Sequence, residues 1–266
     1  MNEENIQKLI QKVRANKQNL PYININEHGN YAGWVTNFHM YDKKTQLPFC
    51  LDLTQDNDLF LLFALASCWS RTGQWQNSAL FCMYLKMSEK DDVTYWSNPQ
   101  NVISEKAKKS ESLQNVCKQY DFTPANRKVS FRSDFYDSLR VLSDEWQGIK
   151  QSLEKSEAYN DYQIFIEHIS QICGLGAGKN TMKIKIPLIL RELRIQGIYK
   201  NIPGKWCCVP DQRVKKSASD PCFSISLPSS TTKVRDVLRS SEIIYNIFGD
   251  LYDLPLFSYP DLKNYW

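Results

Sequence analysis

The chain has 266 residues, of which 42% are hydrophobic and 12% aromatic, and a formal net charge of +4. That length buries a substantial core, and the composition excludes a disordered or collagen-like chain. No run of 18 apolar residues occurs and the start, MNEENIQKLIQKV, reads as a polar amphipathic helix, not a signal peptide, so a soluble intracellular protein is expected, in cytoplasm or nucleus.

In chain order, residues 3–17 read as a first helix ended before Pro21. Residues 22–54 are mixed: Tyr22 to Asn26 alternate with period two, and Gly29 and Gly33 suggest a turn. A small strand pair and an irregular arm are both open there. Thr54 and Asp56 can cap a helix through the run 59–69, LFLLFALASCW, which is apolar nearly all round and belongs in the core. After a turn at 70–74, a second helix covers 75–87. Residues 88–101 read as a polar loop, about 103–119 as a helix of mixed charge, and 121–132 as a connection. Residues 133–154 are amphipathic, with Phe135, Leu139, Leu142 and Trp146 on one side.

The stretch 161–216 organises the rest. Tyr162, Phe165, Ile166, Ile169 and Ile172 stand at helical spacing before CGLGAG, which holds Gly174, Gly176 and Gly178. A glycine-x-glycine turn between two short helices offers backbone N–H groups and the positive end of the second helix to a phosphate. Such a seat holds a protein on DNA without reading its sequence. A helix, not a strand, before the turn argues against a dinucleotide-binding fingerprint, and a glycine-rich helix C-cap is the bland alternative. The segment 181–186 alternates like a strand, and Pro187 interrupts a helix begun at Lys179, so a strand stub and a bent helix are both open. Further on, residues 217–228 form a loop. Ser229, Ser230, Thr231 and Thr232 offer an N-cap cluster for a last long helix through Ile247, stopped by Gly249. The chain is mostly α.

The eight cysteines form no C-x-x-C pair, and no histidine lies within zinc-finger spacing of two of them. No metal and no cofactor are expected. With so small a net charge, contact with nucleic acid must come from local clusters of Lys and Arg.

The order of hairpin, helix and then Val209-Pro210-Asp211 resembles the helix-hairpin-helix DNA glycosylase superfamily over about residues 161–218. The resemblance implies a helical bundle: an N-terminal helix and arm, 1–55, packed closely on a body, 56–266, with the hairpin at 161–196. It implies that Asp211 lies near the deoxyribose of a flipped-out nucleotide. As the glycosidic bond breaks, positive charge builds on the sugar, and a shielded carboxylate stabilises it or activates the nucleophile. Flipping is required because the bond is out of reach inside the duplex. Bifunctional members carry a lysine after the hairpin glycines whose amine attacks the sugar and forms a Schiff base. That slot falls on Asn180, with Lys179 one residue early. Lys179 is taken as the nucleophile, with Lys183 and Lys185 as further candidates.

The 32 residues from Lys179 to Asp211 exceed the spacing of the endonuclease III branch, and with only Cys222 beyond Asp211 its four-cysteine iron–sulfur cluster is absent. The chain looks more like the archaeal-type 8-oxoguanine DNA glycosylases. The likeness rests on residues 66–75, on Asp211-Gln212-Arg213-Val214 and on the aromatic tail LPLFSYPDLKNYW. By that resemblance Trp69, Trp75 and Trp266 are faces for an oxidised base, and Gln74 or Gln55 reads its edge. Arg213, Lys215 and Lys216 join Gly174, Gly176, Gly178 and Asn180 as DNA contacts. The expectation is a monomeric repair enzyme acting on a damaged base in double-stranded DNA, with AP lyase activity open. The alternative is a non-catalytic helix-hairpin-helix DNA-binding protein.

Overall fold

The computed structural model describes residues 2–15, 23–72, 75–88, 92–120, 133–178 and 182–263, with the backbone alone at 70–72, 75–77 and 133–134. The described residues hold eleven α-helices and no strand, an all-α fold. They divide into two compact units. One joins the chain's two ends, Met1–Trp34 and Met182–Trp266, and the other is Val35–Thr181. The division therefore does not follow the 55/56 boundary, because residues 23–34 of the arm are bonded to the C-terminal part of the chain. No described helix is long and apolar enough to cross a membrane.

The unit Val35–Thr181 contains α2 (Asp56–Thr72), α3 (Trp75–Met87), α4 (Pro99–Ala107), α5 (Lys109–Gln119), α6 (Ser133–Tyr159) and α7 (Gln163–Ser170). Helices α2 and α3 are apolar over 59–66 and 79–85, where Phe60, Leu62, Phe63, Leu80 and Phe81 are fully buried. Trp146 of α6 meets Phe60 and Phe63 edge to face, at 5.3 and 5.4 Å between ring centres, a geometry the ring quadrupoles favour. Its indole N–H reaches the Asp56 carboxylate at 3.2 Å. Helix α4 starts inside the expected loop, because Asn98 accepts the Gln100 amide and Pro99 fills the first helical position. Residues 35–54 are irregular, tied by the bridges from Tyr41 to Pro48 and from Asp42 to Tyr120 and by the Asp42 carboxylate accepting the amides of Lys44 and Thr45.

The other unit contains α1 (Glu3–Ala15), α8 (Lys185–Ile195), α9 (Gln212–Ala218), α10 (Val234–Phe248) and α11 (Leu254–Leu262). Helix α1 turns Leu9 and Val13 inward and packs on α11. Helix α8 begins at Lys185, which puts Pro187 in the first turn, where its missing N–H leaves no intrahelical bond unmade. Neither a strand stub nor a bend at Pro187 is needed. The arm's turn is closed by the Asn26 side chain, which accepts the amides of His28 and Asn30, and by the bridge from Ile25 to Tyr31. The chain then enters the unit's core at Gly33 and Trp34. Helix α10 ends at Gly249, whose φ of +55° lies in the region glycine enters without a Cβ penalty.

Candidate active site around Asp211

Asp211 is placed by its neighbours. Pro210 restricts Val209 to an extended backbone, and the Asp211 amide donates back to the Val209 carbonyl at 2.9 Å, folding a tight step over the proline. Asp211 then takes the N-cap position of α9 with extended dihedrals, and its Oδ1 accepts the Val214 amide at 2.7 Å. Burial pushes its carboxyl up to about 6. The negative charge of Asp253 adds to the rise, while the Val214 and Arg213 amides and the Arg213 guanidinium oppose it. A helix-capping aspartate by itself is a structural device. One that titrates near 6 is ionised at neutral pH yet holds a proton well, which suits a general base or a partner for developing positive charge.

Behind Asp211 lies a sealed ionic group. Arg191 of α8 donates to Asp253 at 2.9 Å and to Glu192 at 3.2 Å, and the three side chains are 3%, 7% and 0% exposed. The guanidinium carbon stands 5.0 Å over the Tyr31 ring and 5.2 Å over that of Trp34. Glu192 Oε2 accepts the Trp34 amide at 2.8 Å, and Asp253 Oδ1 also accepts the Val209 amide at 2.8 Å. Two carboxylates thus share one guanidinium. Burial also raises the Tyr31 phenol, and its two carboxylate neighbours act in the same direction. Sequence reasoning did not select these three residues. The available signal was a pair of charges, Arg191-Glu192, inside the apolar run of α8.

Two of the three expected DNA contacts on α9 are engaged within the chain. Arg213 donates through Nε to the Phe257 carbonyl at 2.6 Å, pairs with Asp261, and lies 4.5 Å over the Phe257 ring. Lys215 gives its ammonium protons to the carbonyls of Pro228, Ser229 and Ser230 at 2.7, 2.9 and 3.1 Å. Lys216 is exposed.

Gly174, Gly176 and Gly178 belong to the unit Val35–Thr181, and Asp211 to the other. The turn closes on itself: the Ile172 carbonyl accepts the amides of Leu175, Gly176 and Ala177, each at 3.1 Å, and the Gly174 amide reaches the Ala177 carbonyl at 3.3 Å. These donors are spent inside the turn, and α8 starts only at Lys185, so the seat expected from them is not assembled at 174–177. Gly174 and Gly178 have φ of +93° and +91°. A Cβ on Gly178 would stand 2.9 Å from the Cys173 sulfur.

Trp69 is half-buried near the end of α2. Gln55 is exposed beside Thr54. Lys183 is half-buried, its ammonium lowered by burial, and its amide donates to the Thr231 carbonyl at 2.8 Å. Lys185 is 3% exposed. Lys179, Asn180, Gln74, Trp266 and the Trp75 side chain lie outside the described residues. Among the described residues no three His, Cys, Asp or Glu side chains are grouped to hold a metal ion. Comparison of the chain with protein-family models, with curated proteins and with solved structures found no match.

Proposed function

We propose that this chain is a DNA glycosylase of the helix-hairpin-helix class that excises an oxidised purine, 8-oxoguanine foremost, from double-stranded DNA. The observation that carries the proposal is the Asp211 carboxyl, held at the N-terminus of α9 and pushed up to about 6 by burial and by Asp253. In this reading the damaged nucleotide leaves the stack, and the ionised Asp211 faces its sugar. As the base departs with the bonding electrons, the carboxylate stabilises the positive charge on the sugar or takes a proton from the attacking group. Water as the attacking group leaves an abasic site. In the lyase branch of the same reading an amine attacks instead of water and forms a Schiff base, from which β-elimination nicks the strand, and Lys179 is the residue proposed for it from the resemblance.

The test is incubation with duplex DNA carrying one 8-oxoguanine, with and without borohydride. The expected result is base release by the wild type and none by Asp211→Asn at unchanged DNA affinity. A borohydride-trapped adduct that disappears in Lys179→Gln identifies the lyase step. DNA binding without base release by the wild type overturns the enzyme and leaves a DNA-binding protein.

A further inference from the structure

We propose that Asp253 is the positioning residue of Asp211: its Oδ1, clamped by Arg191, holds the Val209 amide and thereby fixes the Val209-Pro210-Asp211 step that aims the acid. The inference rests on the glycosylase reading for its catalytic meaning, and on geometry for the rest. One oxygen of Asp253 accepts two donors, the Arg191 guanidinium at 2.9 Å and the Val209 amide at 2.8 Å. Both bonds are buried, where an unmade bond is costly and a made one is rigid. The Val209 amide is two residues from Asp211, and the backbone between them is pinned at both ends, by Pro210 and by the 2.9 Å bond from the Asp211 amide to the Val209 carbonyl. There is little freedom left for the carboxyl other than its capping position.

The same arrangement gives Asp253 an electrostatic hold on Asp211. The groups facing Asp211 are Asp253, from the segment before α11, and Arg213, from α9 itself. Behind Asp253 stand Arg191 and Glu192 of α8 and Tyr31 of the arm. Removing the negative charge of Asp253 while keeping its shape leaves Arg191 less compensated, and both changes favour the ionised form of Asp211. The acid limb of any activity that needs ionised Asp211 then moves to lower pH.

The experiment uses the full chain with carboxyl-13C aspartate, titrated by NMR in the wild type and in Asp253→Asn, with Asp211→Asn identifying the resonance. The Asp211 midpoint is expected near 6 in the wild type and lower by about half a unit or more in Asp253→Asn. Base release by Asp253→Ala, which removes the acceptor of the Val209 amide, is expected to fall on the order of 10- to 100-fold in kcat with KM held, while Asp253→Asn, which keeps an acceptor there, moves the acid limb by the same amount as the midpoint. An unmoved midpoint in a folded Asp253→Asn overturns the inference. If that variant does not fold, the wild type decides it: a Val209 amide strongly protected from hydrogen exchange supports the clamp, and a rapidly exchanging one overturns it. Absence of base release by the wild type sinks the glycosylase reading alone, since the midpoint and the amide are read without activity.

Discussion

The Arg191 guanidinium and the Asp253 carboxylate meet at 2.9 Å with both side chains almost sealed from water. Taking two such ions out of water costs several kcal/mol each, and the attraction between them offsets that cost only while both are present. Arg191→Met removes the one cation from a site that still holds Asp253 and Glu192. The expected loss is about 3–5 kcal/mol in urea unfolding at neutral pH. A loss under about 1 kcal/mol would mean that the buried ion pairing is not what holds this group together.

The arm depends on the same group through Gly33. Its φ of +83° is one that side chains rarely adopt, and a Cβ there would stand 2.5 Å from Glu192 Oε2. Glu192 cannot retreat without releasing Arg191 or the Trp34 amide. Gly33→Ala therefore combines backbone strain with overpacking, and the expected cost is on the order of 2–4 kcal/mol. Gly197→Ala serves as the control: φ is +70° there, but no atom lies within 4 Å of the added Cβ. It should lose only the backbone part, about 1 kcal/mol. Equal losses in the two variants would show that the Glu192 contact contributes nothing.

These contacts explain which features a sequence alone reveals. Helix α3 coincides with the expected 75–87, because an apolar run bounded by polar residues needs only local information. The break between α4 and α5 at Lys108 carries no glycine or proline, so nothing local announces it. Helix α11, LPLFSYPDL, contains Pro260 and carries no polar residue before Ser258, so it shows no helical period. The Ser229 to Thr232 cluster does form a turn before α10, with Ser230 Oγ accepting the amides of Thr232 and Lys233, but the helix itself starts at Val234 without a side-chain cap. Around the site, Asp211 was visible from the Val-Pro-Asp step. Its partner Asp253 was not, since a pairing across such a distance in the chain leaves no local pattern. Arg213 and Lys215 read as DNA contacts, because charges that fasten a fold and charges that meet a ligand look alike in sequence.

The raised Asp211 has a stability consequence opposite to that of a salt-bridged aspartate. Its folded-state value, about 6, lies above its ordinary 3.8, so folding disfavours ionisation. Stability from this group is fully present below pH 4 and is lost as the pH rises to 6 and beyond. Asp211→Asn keeps an acceptor for the Val214 amide, and asparagine caps helices as well as aspartate does. The variant is therefore expected to be more stable than the wild type at pH 7 to 8, by about 1–3 kcal/mol, and equal to it near pH 4. Thermal unfolding across that range measures the crossover. A variant less stable than the wild type at pH 7 would mean that the carboxylate is favourably held, against the desolvation that makes it a candidate acid.

Lys215 and Lys216 separate a structural cation from a solvent-facing one on the same helix. The Lys215 ammonium bonds three carbonyls of residues 228–230, which ties α9 to the loop that precedes α10. Burial holds its proton affinity below the usual lysine range. Lys215→Met keeps the apolar stem and strands the carbonyls, and is expected to cost about 1–2 kcal/mol of unfolding free energy. Lys216 is exposed, and Lys216→Ala should leave stability within about 0.5 kcal/mol of the wild type. Under the proposed function, the salt dependence of DNA binding assigns the phosphate contact. Loss of one contact lowers the slope of log K against log salt by roughly one, equally for all sequences. That decrease is expected in Lys216→Ala and not in Lys215→Met. If Lys215→Met flattens the slope while its unfolding is unchanged, the three carbonyl bonds are not what holds this side chain in solution, and Lys215 faces the DNA after all.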